Sequence, residues 1–424
     1  MTTKRIIRCG IFVLLLSCGF IPARSQNPQQ IISELHQINQ QITNSRCDKG
    51  NGVLISYKAM NVFLSNKVSY YFSDKGDLSL YKNFVNINAA KGTLAINHNL
   101  HQPDTTNDDY VRSFTTIGVR AGFANAYAAR LSNAYTSNQL GGYIQRVWMG
   151  RPKTRYNFCS SQKQDMDAER ALLVNQLSAE LNEKATAFER ELDQITAADL
   201  PGQNLKTAKA TLSTNFYKAL RATYLQKFAE AQSALLVNNN NYKVVKDSWT
   251  ILGIYLPIIT QKFHILQGTE ESTHYNYPAE LMLTHTRFWN APKVGKIFFS
   301  LGAGFIINNG VQGGQLTPTG INGSYAGKYY NYLTPATSAK VVYIPLDSHI
   351  GFSFRVEKNY GDYKALNGIL GIPIVLIDKR GVPAVNFECQ LILDDMNHTI
   401  KSALPGNRSS VGLTIGIPFS KIVY

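Results

Sequence analysis

The end of the chain alternates between two kinds of residue. Val411, Leu413, Ile415, Ile417 and Phe419 share one parity, and the residues between them are small or polar: Gly412, Thr414, Gly416, Pro418 and Ser420. Successive side chains of a strand point to opposite faces, so this strand has one oily face and one polar face. The pattern predicts the closing strand of a β-barrel that stands in lipid, apolar outside and polar inside.

Similar alternation recurs along the chain in runs of about 9 to 13 residues: 111–123, 296–307, 349–357 and 384–393. Runs of this length suit strands that cross a membrane at a tilt. No stretch approaches the uninterrupted apolar length that a membrane-spanning helix requires. The sequence therefore predicts an all-β fold, an antiparallel transmembrane β-barrel.

Residues 1–25 have the pattern of a signal peptide. Basic residues are followed by a short apolar run at 11–21 and by Ala23-Arg24-Ser25, a small-x-small cleavage site. A lipoprotein site at Cys18 is the alternative interpretation. The formal net charge is +15. Export argues against nucleic acid as a partner of this basic chain, and favours outer-membrane lipids and anionic lipopolysaccharide.

Three cysteines remain after the signal peptide: Cys47, Cys159 and Cys389. A disulfide between Cys47 and Cys159 fits an oxidising compartment, but the sequence alone leaves that pairing open. No Cys or His spacing points to a metal, and no cofactor motif is present. The Gly-x-Ser-x-Gly motif of serine hydrolases is also missing, so we expect no catalytic residues and no enzyme.

The segment 26–92 precedes the regular alternation. Asn27-Pro28 predicts a helix start, and Ile31, Leu35, Ile38 and Ile42 recur at helical spacing, which gives a helix over 28–45. Short β-like runs follow at 53–57 and 68–72. We interpret the segment as an N-terminal helix with a short β segment, in the periplasm or as a plug.

Loop lengths predict how the barrel is threaded. With Tyr424 on the periplasmic side, long connections (267–276, 308–338 and 394–409) fall outside and short ones (290–293, 346–348 and 378–381) fall inside, as expected for such barrels. In this count Pro257 ends an inward-running strand. The count gives about 12 strands between 93 and 424, in a first part over 93–159 and a second part over 242–424.

An inserted segment at 160–241 separates the two parts of the barrel. Two helical stripes of apolar residues flank Pro201-Gly202, which predicts a long αα-hairpin. The first arm is acidic and the second is basic. The strand count places this hairpin outside the cell.

With its exported start at 23–26, its barrel-like alternation and its ending at 417–424, the chain resembles outer-membrane β-barrel proteins of the Bacteroidota type. The resemblance implies the bacterial outer membrane as location and assembly by the outer-membrane insertion machinery. It transfers no active-site residue. The chain departs from the pattern at Tyr424 and Ile422, which share parity with Pro418 rather than with Phe419. A bulge over 418–421 would restore the phase.

The polar parity of the strands supplies candidate residues for the lumen. They are Arg112, Arg120, His349, Arg355, Glu357, Asn386, Glu388 and Gln390. These side chains either line a pore or form a closed network of ion pairs, and a barrel of twelve strands permits both outcomes.

Two functions follow from the predicted barrel. The first is a channel or transport component with a polar, partly basic lumen. The second is a surface interaction or adhesion protein, in which the barrel is an anchor and the hairpin at 160–241, with the outer loops, binds a protein partner.

Overall fold

The computed structural model describes most of the chain after the signal peptide. The described residues are 27–47, 50–71, 83–88, 93–100, 110–122, 140–196, 204–238, 242–258, 261–267, 270–311, 315–319, 324–346, 348–379, 383–399 and 409–418. The predicted signal peptide and the predicted bulge near Tyr424 lie outside these residues. Among the described helices, none is long and apolar enough to cross a membrane.

Twelve antiparallel strands form a closed barrel, as the alternation predicts. The wall strands are β1 (Phe84–Asn88), β2 (Thr93–Asn99), β3 (Ser113–Gly122), β4 (Leu140–Met149), β6 (Val244–Pro257), β9 (Glu280–Ala291), β10 (Gly295–Asn309), β13 (Asn331–Pro345), β14 (Phe352–Asn359), β15 (Leu366–Ile377), β16 (Pro383–Leu393) and β17 (Ser409–Pro418). The pairing of β1 with β17 closes the ring, and β5 (Lys153–Arg155) extends the β4 side along β6.

The two faces of the wall differ as the sequence predicts. Exposed apolar side chains form a band around the outside that includes Ile117, Ile144, Ile254, Leu283, Leu301, Val341, Phe354, Ile372, Leu391 and Leu413. The opposite parity is buried inside the barrel. In β17, for example, Thr414 is buried while Val411 and Leu413 are exposed. The apolar band is therefore the lipid face of the barrel.

Short connections define one end of the barrel. The connections 292–294, 346–351 and 378–382 lie at this end, which we call the inner end. In membrane barrels the short turns are periplasmic. The opposite, outer end carries a second sheet of four strands, β7 (Gln261–Gln267), β8 (Glu270–Asn276), β11 (Thr317–Pro318) and β12 (Tyr325–Ala326).

Three helices form a bundle at the inner end. α1 (Pro28–Thr43) packs against α3 (Cys159–Gln194) and α4 (Leu205–Asn238) through a buried cluster that includes all four apolar residues of its predicted stripe. The predicted start of α1 is confirmed, because the Gln30 N–H donates to Asn27 Oδ1 at 2.8 Å. At the helical rise, α3 and α4 are each about 50 Å long.

The helical hairpin α3–α4 lies at the inner end, and the predicted outer position is wrong. β6, which follows the hairpin, pairs directly with β9, and Val245 opposes Asn290 beside the short turn 292–294. β6 therefore runs outward, and Pro257 stands at its outer end. The sequence count placed a wall strand at 258–267, whereas β7 belongs to the outer sheet. Because successive wall strands alternate in direction, counting one additional wall strand places every element before it at the opposite end of the barrel.

The N-terminal segment also differs from the prediction in two places. The first wall strand begins at Phe84, before the predicted boundary at 93. The region expected to hold short β-like runs instead forms the helix α2 (Tyr57–Val68), whose side chains are nearly all buried. We refer to residues 57–71, which comprise α2 and the three residues after it, as the plug segment.

A disulfide joins Cys47 to Cys159, the first residue of α3. It fixes the chain after α1 to the base of the hairpin. The third cysteine, Cys389, is free and exposed on the outward parity of β16.

Cysteine labelling tests the position of the hairpin. In a Cys389→Ser background, Lys206→Cys on α4 should react with a membrane-impermeant maleimide only after the outer membrane is permeabilised. Glu270→Cys on the outer sheet is the matched exposed position and should react on intact cells. Labelling of Lys206→Cys on intact cells would contradict the inner position of the hairpin.

Candidate functional site in the barrel lumen

The candidate site is the polar interior of the barrel, where five of the predicted residues lie on neighbouring strands. β14 turns Arg355 and Glu357 into the lumen, and β16 turns Asn386, Glu388 and Gln390 into it. These strands flank β15, which faces the lumen with residues that include Gly371 and Val375.

Ion pairs and hydrogen bonds connect these lumen residues. Arg355 donates to Glu357 Oε2 at 2.6 Å. The carboxylate of Glu388 accepts hydrogen bonds from Ser353 Oγ and, at 3.1 Å, from Gln390 Nε2. These contacts connect several of the predicted lumen residues. A closed network and a pore lining both stay predictions.

Arg120 forms a separate ion pair nearer the outer end. Its guanidinium donates to Glu280 Oε1 at 2.7 Å and lies 3.6 Å from the ring centre of Tyr255. The ion pair of Arg120 and Glu280 joins β3 to β9 across the interior of the barrel. The ring of Tyr255, on β6, lies between these two strands. Both strands reach their outer ends here, so the pair narrows the barrel near that mouth.

The other two predicted residues lie at the inner mouth. Arg112 immediately precedes β3 and is exposed, and His349 is exposed in the turn before β14. The ring of His349 stacks on Tyr70 of the plug segment, with ring centres 6.4 Å apart. These two residues are therefore separate from the network around Glu388.

The plug segment fills the inner end of the lumen. Apolar residues of α2 form one buried cluster with lumen-facing residues of the wall: Phe114, Val147, Val245, Trp249, Ile251, Phe288, Phe298, Val342, Ile344 and Val375. The ring of Phe63 packs edge-on against Tyr242. α2 is therefore a helix packed into the inner mouth of the barrel.

Two polar contacts tie the end of the plug segment to the wall, and a third extends one of them within the wall. Asn386 Nδ2 donates to the Ser69 carbonyl at 2.6 Å, and the Tyr71 hydroxyl lies 2.8 Å from Ser300 Oγ. Ser300 in turn lies 2.9 Å from Thr286 Oγ1. Asn386 is therefore a wall residue that holds the plug segment.

Two lysines that the sequence analysis did not select contact the same segment. Lys296 lies 4.0 Å from the ring centre of Tyr70, and Lys340 lies 5.4 Å from that of Tyr71. Parity alone would have included both lysines, because each alternates with lipid-facing residues of its strand. The tyrosines carried no sequence signal, since nothing in a run of aromatic residues distinguishes a lumen contact from a membrane contact.

A cavity of about 60 Å³ lies above the plug segment in the lumen. Its lining includes Tyr71, Gln145, Thr284, Ser300, Lys340 and Arg355. The plug segment supplies the tyrosine, and wall strands supply the others. The lumen therefore holds a small space lined by polar and apolar residues, one of which lies outside the wall.

The start of the plug segment is held by the helical bundle rather than by the barrel. Gln232 of α4 is fully buried and accepts from the Ser56 N–H at 2.9 Å. Arg170 of α3 is fully buried and donates to the Leu54 carbonyl at 2.5 Å. Burial lowers the pKa of the Arg170 guanidinium, and the neighbouring Asp167 carboxylate opposes that shift. The base of the bundle thus anchors α2.

The far part of the hairpin packs through aromatic residues. Phe188 and Phe216 stack with their ring centres 3.7 Å apart, and the Tyr217 hydroxyl donates to Glu189 Oε1 at 2.7 Å. Burial and the adjacent carboxylate raise the pKa of Tyr217 to about 12. This part of the hairpin extends beyond α1, so that only α3 and α4 pack together here.

The described residues contain no group of three or more His, Cys, Asp or Glu side chains that could hold a metal ion. On the outer sheet, Ser272 Oγ lies 3.1 Å from His274 Nε2, but the nearby carboxylate of Glu271 pairs with a different histidine, His264. In the described part of the chain, the contacts of His274 are with this serine and with the ring of Tyr329.

No protein-family model matches the chain, and no curated protein matches it either. Among solved structures, the chain is similar to the NanC porin, with 6% identity over 80% of this chain and 99% of that chain and a TM-score of 0.28. It is also similar to a loop L8 deletion mutant of OmpT, an outer membrane protein of Vibrio cholerae, with 8% identity over 80% and 96% of the two chains and a TM-score of 0.23.

The fold itself gives the location of the protein. A closed antiparallel barrel leaves no sheet edge unpaired, and an apolar band around its outside suits contact with lipid. The protein is a bacterial outer-membrane β-barrel.

Proposed function

We propose that this protein is a plugged channel of the outer membrane, in which the polar lumen passes small solutes and the plug segment keeps the inner end closed. One observation carries the proposal. Tyr71, which belongs to the plug segment and not to the wall, is one of the residues that line the lumen cavity. A lining residue that is not part of the wall can move away while the barrel stays intact.

The pattern of contacts supports this division between wall and plug. The wall is held by continuous strand pairing around the ring. The plug segment is joined to the wall by side-chain contacts, including the hydrogen bond from Asn386 to Ser69. Each such hydrogen bond contributes about 0.5–1.5 kcal/mol net, and the buried apolar cluster of α2 contributes more, but no backbone strand pairing of the described residues joins the plug segment to the wall.

The charges of the lumen suggest which solutes pass. Lys296, Lys340 and Arg355 line the region of the plug contact, with Glu357 and Glu388 beside them. Basic side chains in a narrow pore favour anions. The polar and partly basic lumen thus supports a channel with a preference for anions over cations.

Single-channel recording of the full-length protein in planar bilayers tests this function. The wild-type protein should be mostly closed, and the variant Tyr71→Ala/Asn386→Ala should open more often, because it removes two contacts that hold the plug segment. Tyr343→Ala is the matched control, since Tyr343 is an exposed residue on the lipid face of β13. It should behave like the wild type.

Some outcomes would overturn the channel. If the folded wild-type and plug variants both fail to conduct, including under applied voltage, the barrel is an anchor. Folding of each variant is checked independently by gel electrophoresis in detergent without heating, because a folded barrel resists unfolding under that condition.

We also propose that the protein is of the Bacteroidota type, has no enzymatic activity, contacts lipopolysaccharide, is assembled by the outer-membrane insertion machinery and binds a protein partner through residues 160–241. The last of these takes a new form, because the hairpin lies at the inner end. A surface adhesion role then depends on the outer sheet and the outer loops. Deleting the hairpin distinguishes the two surfaces: partner binding by the hairpin would be lost, whereas partner binding by the outer sheet and loops would remain.

A further inference from the structure

Four positively charged side chains form a cluster on the outside of the barrel, at its inner end. Lys153 and Arg155 lie on β5, Lys246 on β6 and Arg287 on β9, and all four side chains are exposed. Lys153 and Lys246 are direct partners in the strand register, and Arg287 is two residues from Trp289, the partner of Lys246 on β9. We call these four residues the basic patch.

No carboxylate balances the basic patch in the part of the chain that the structure describes. The ion pairs of this part involve other positive side chains. The adjacent acidic residue, Asp247, is buried on the opposite parity of β6. Like charges directly opposite each other on neighbouring strands destabilise a sheet, so the pair of Lys153 and Lys246 is unfavourable by itself. A negatively charged ligand at this surface would offset the repulsion.

The basic patch borders the part of the wall that contacts lipid. Phe299 on β10 is exposed in the apolar band and directly opposes Arg287. Trp289 lies between Lys246 on one side and Ile297 on the other. Tryptophan is enriched at the level of the lipid headgroups. The basic patch therefore lies where the wall passes from the apolar band to the periplasmic surface.

The opposite side of the barrel has a different character at its inner end. Near the inner ends of β13, β14 and β15 the outward side chains include Tyr343, Phe352 and Leu376, which are uncharged and exposed. The basic patch is therefore a feature of one side of the barrel and not of the whole inner rim. This side carries the hairpin, because β5 leads into α3 and β6 follows α4.

We propose that the basic patch binds anionic phospholipid in the periplasmic leaflet of the outer membrane, with the lipid phosphates beside the four cations and the acyl chains along the apolar band. The inference does not rest on the proposed channel. Clusters of Lys and Arg next to a membrane-spanning segment attract anionic lipids. The two arginines also offer the planar fork that suits a phosphate. Such binding holds the side of the barrel that carries the hairpin against the membrane surface.

Tryptophan fluorescence gives a local test of this site. The chain has three tryptophans, of which Trp249 is buried in the lumen, Trp289 adjoins the basic patch and Trp148 is exposed on β4. In a Trp148→Phe background, bromine atoms on lipid acyl chains quench Trp289 and do not reach Trp249. The full-length protein is reconstituted in phosphatidylcholine vesicles that contain a minor fraction of either brominated phosphatidylglycerol or brominated phosphatidylcholine. The quenching in the two kinds of vesicle gives the ratio of the two binding constants.

The protein with the intact patch should bind phosphatidylglycerol more than about fivefold more tightly than phosphatidylcholine, since one Lys or Arg near an anionic surface contributes about that factor. Lys246→Gln/Arg287→Gln should lower this preference about fivefold or more. Lys328→Gln/Lys364→Gln is the matched control, because it removes the same charge from exposed positions at the outer end. It should leave the preference unchanged. Folding of each variant is checked by electrophoresis without heating, as for the channel variants.

Three results would overturn the site. The first is equal quenching by the two brominated lipids when the patch is intact, which would mean that the patch faces water or a protein. The second is the same loss of preference in the control variant, which would indicate a general effect of net charge. The third is a loss of preference with inorganic phosphate that exceeds the loss with sodium chloride at equal ionic strength. That result would assign the patch to a soluble anion, because screening alone depends only on ionic strength.

Discussion

Replacing Arg170 by leucine is expected to lower the free energy of unfolding of the helical bundle by about 1–3 kcal/mol. The guanidinium is fully buried and contacts Asp167, Asn39 Oδ1 at 3.1 Å and the Leu54 carbonyl. Leucine fills part of the space but donates nothing. The buried Leu54 carbonyl would then lose this donor, whereas Asp167 is partly exposed and keeps its ion pair with Lys163.

The loss is measured by urea unfolding of the full-length protein, followed by the helical circular dichroism signal. Arg190→Leu makes the same change at an exposed position of α3 and should alter the free energy by less than about 0.5 kcal/mol. Because Arg170 also holds the chain just before α2, the Arg170→Leu variant should open more often in bilayers as well. Equal stability of the two variants would contradict the structural role of Arg170.

Removal of the disulfide should destabilise the same bundle by about 2–5 kcal/mol. Cys47 and Cys159 are 112 residues apart in sequence, so the bond closes a long loop of the unfolded chain. The variant Cys47→Ser/Cys159→Ser should unfold at lower urea concentration, and a reductant should shift the wild-type protein in the same direction.

Cys389→Ser is the control for the disulfide, because Cys389 is free and exposed on the outer face of the wall. Its unfolding should match that of the wild type. A reductant should have no further effect on the protein without the disulfide. A shift of similar size with Cys389→Ser would mean that the loss does not come from the disulfide.

The parts of the fold that face two different environments could be predicted from sequence. β17 is apolar on its lipid side and polar on its lumen side, and the period of two is direct evidence of a strand there. α1 buries one stripe and exposes the rest, so its period of 3.6 and its Asn27 cap are both visible. In each case the sequence records the contrast between a buried and an exposed face.

α2 lacks this contrast, which is why it was missed. It is buried on almost every side, and its buried residues include Lys58, Asn61 and Ser65. A helix covered all round shows no stripe, and polar residues among the apolar ones weaken the pattern further. Its neighbouring β-branched and aromatic residues then resembled short strands.

The sequence analysis placed the hairpin at the wrong end of the barrel for a different reason. β7 alternates as a wall strand does, because a strand of a water-exposed sheet also has one buried face. The sequence count included β7 and omitted β1. The total therefore stayed at twelve, but the direction of β6 was reversed. Only the pairing of β6 with β9 restores the direction, and such pairing between distant segments has no local sequence signature.

The candidate site likewise contains residues that could be predicted from the sequence and residues that could not. Parity identified Arg355, Glu357, Asn386, Glu388 and Gln390, since each stands on the polar face of a regular strand. Parity could not identify Tyr70 and Tyr71, which follow a helix and reach the lumen through the tertiary fold. The residues of a wall can be derived from one strand at a time, whereas the occupant of the lumen cannot.

The disulfide also joins the two ends of a segment that contains both the plug and the first wall strands. Cys47 and Cys159 bracket β1 to β4, the first third of the wall, and the plug segment lies between the same two cysteines. The wall strands from β6 onward are made later, and the ring is complete only when β17 reaches β1. Oxidation of the two thiols before closure would hold the first third of the wall and its plug together while the remaining strands arrive.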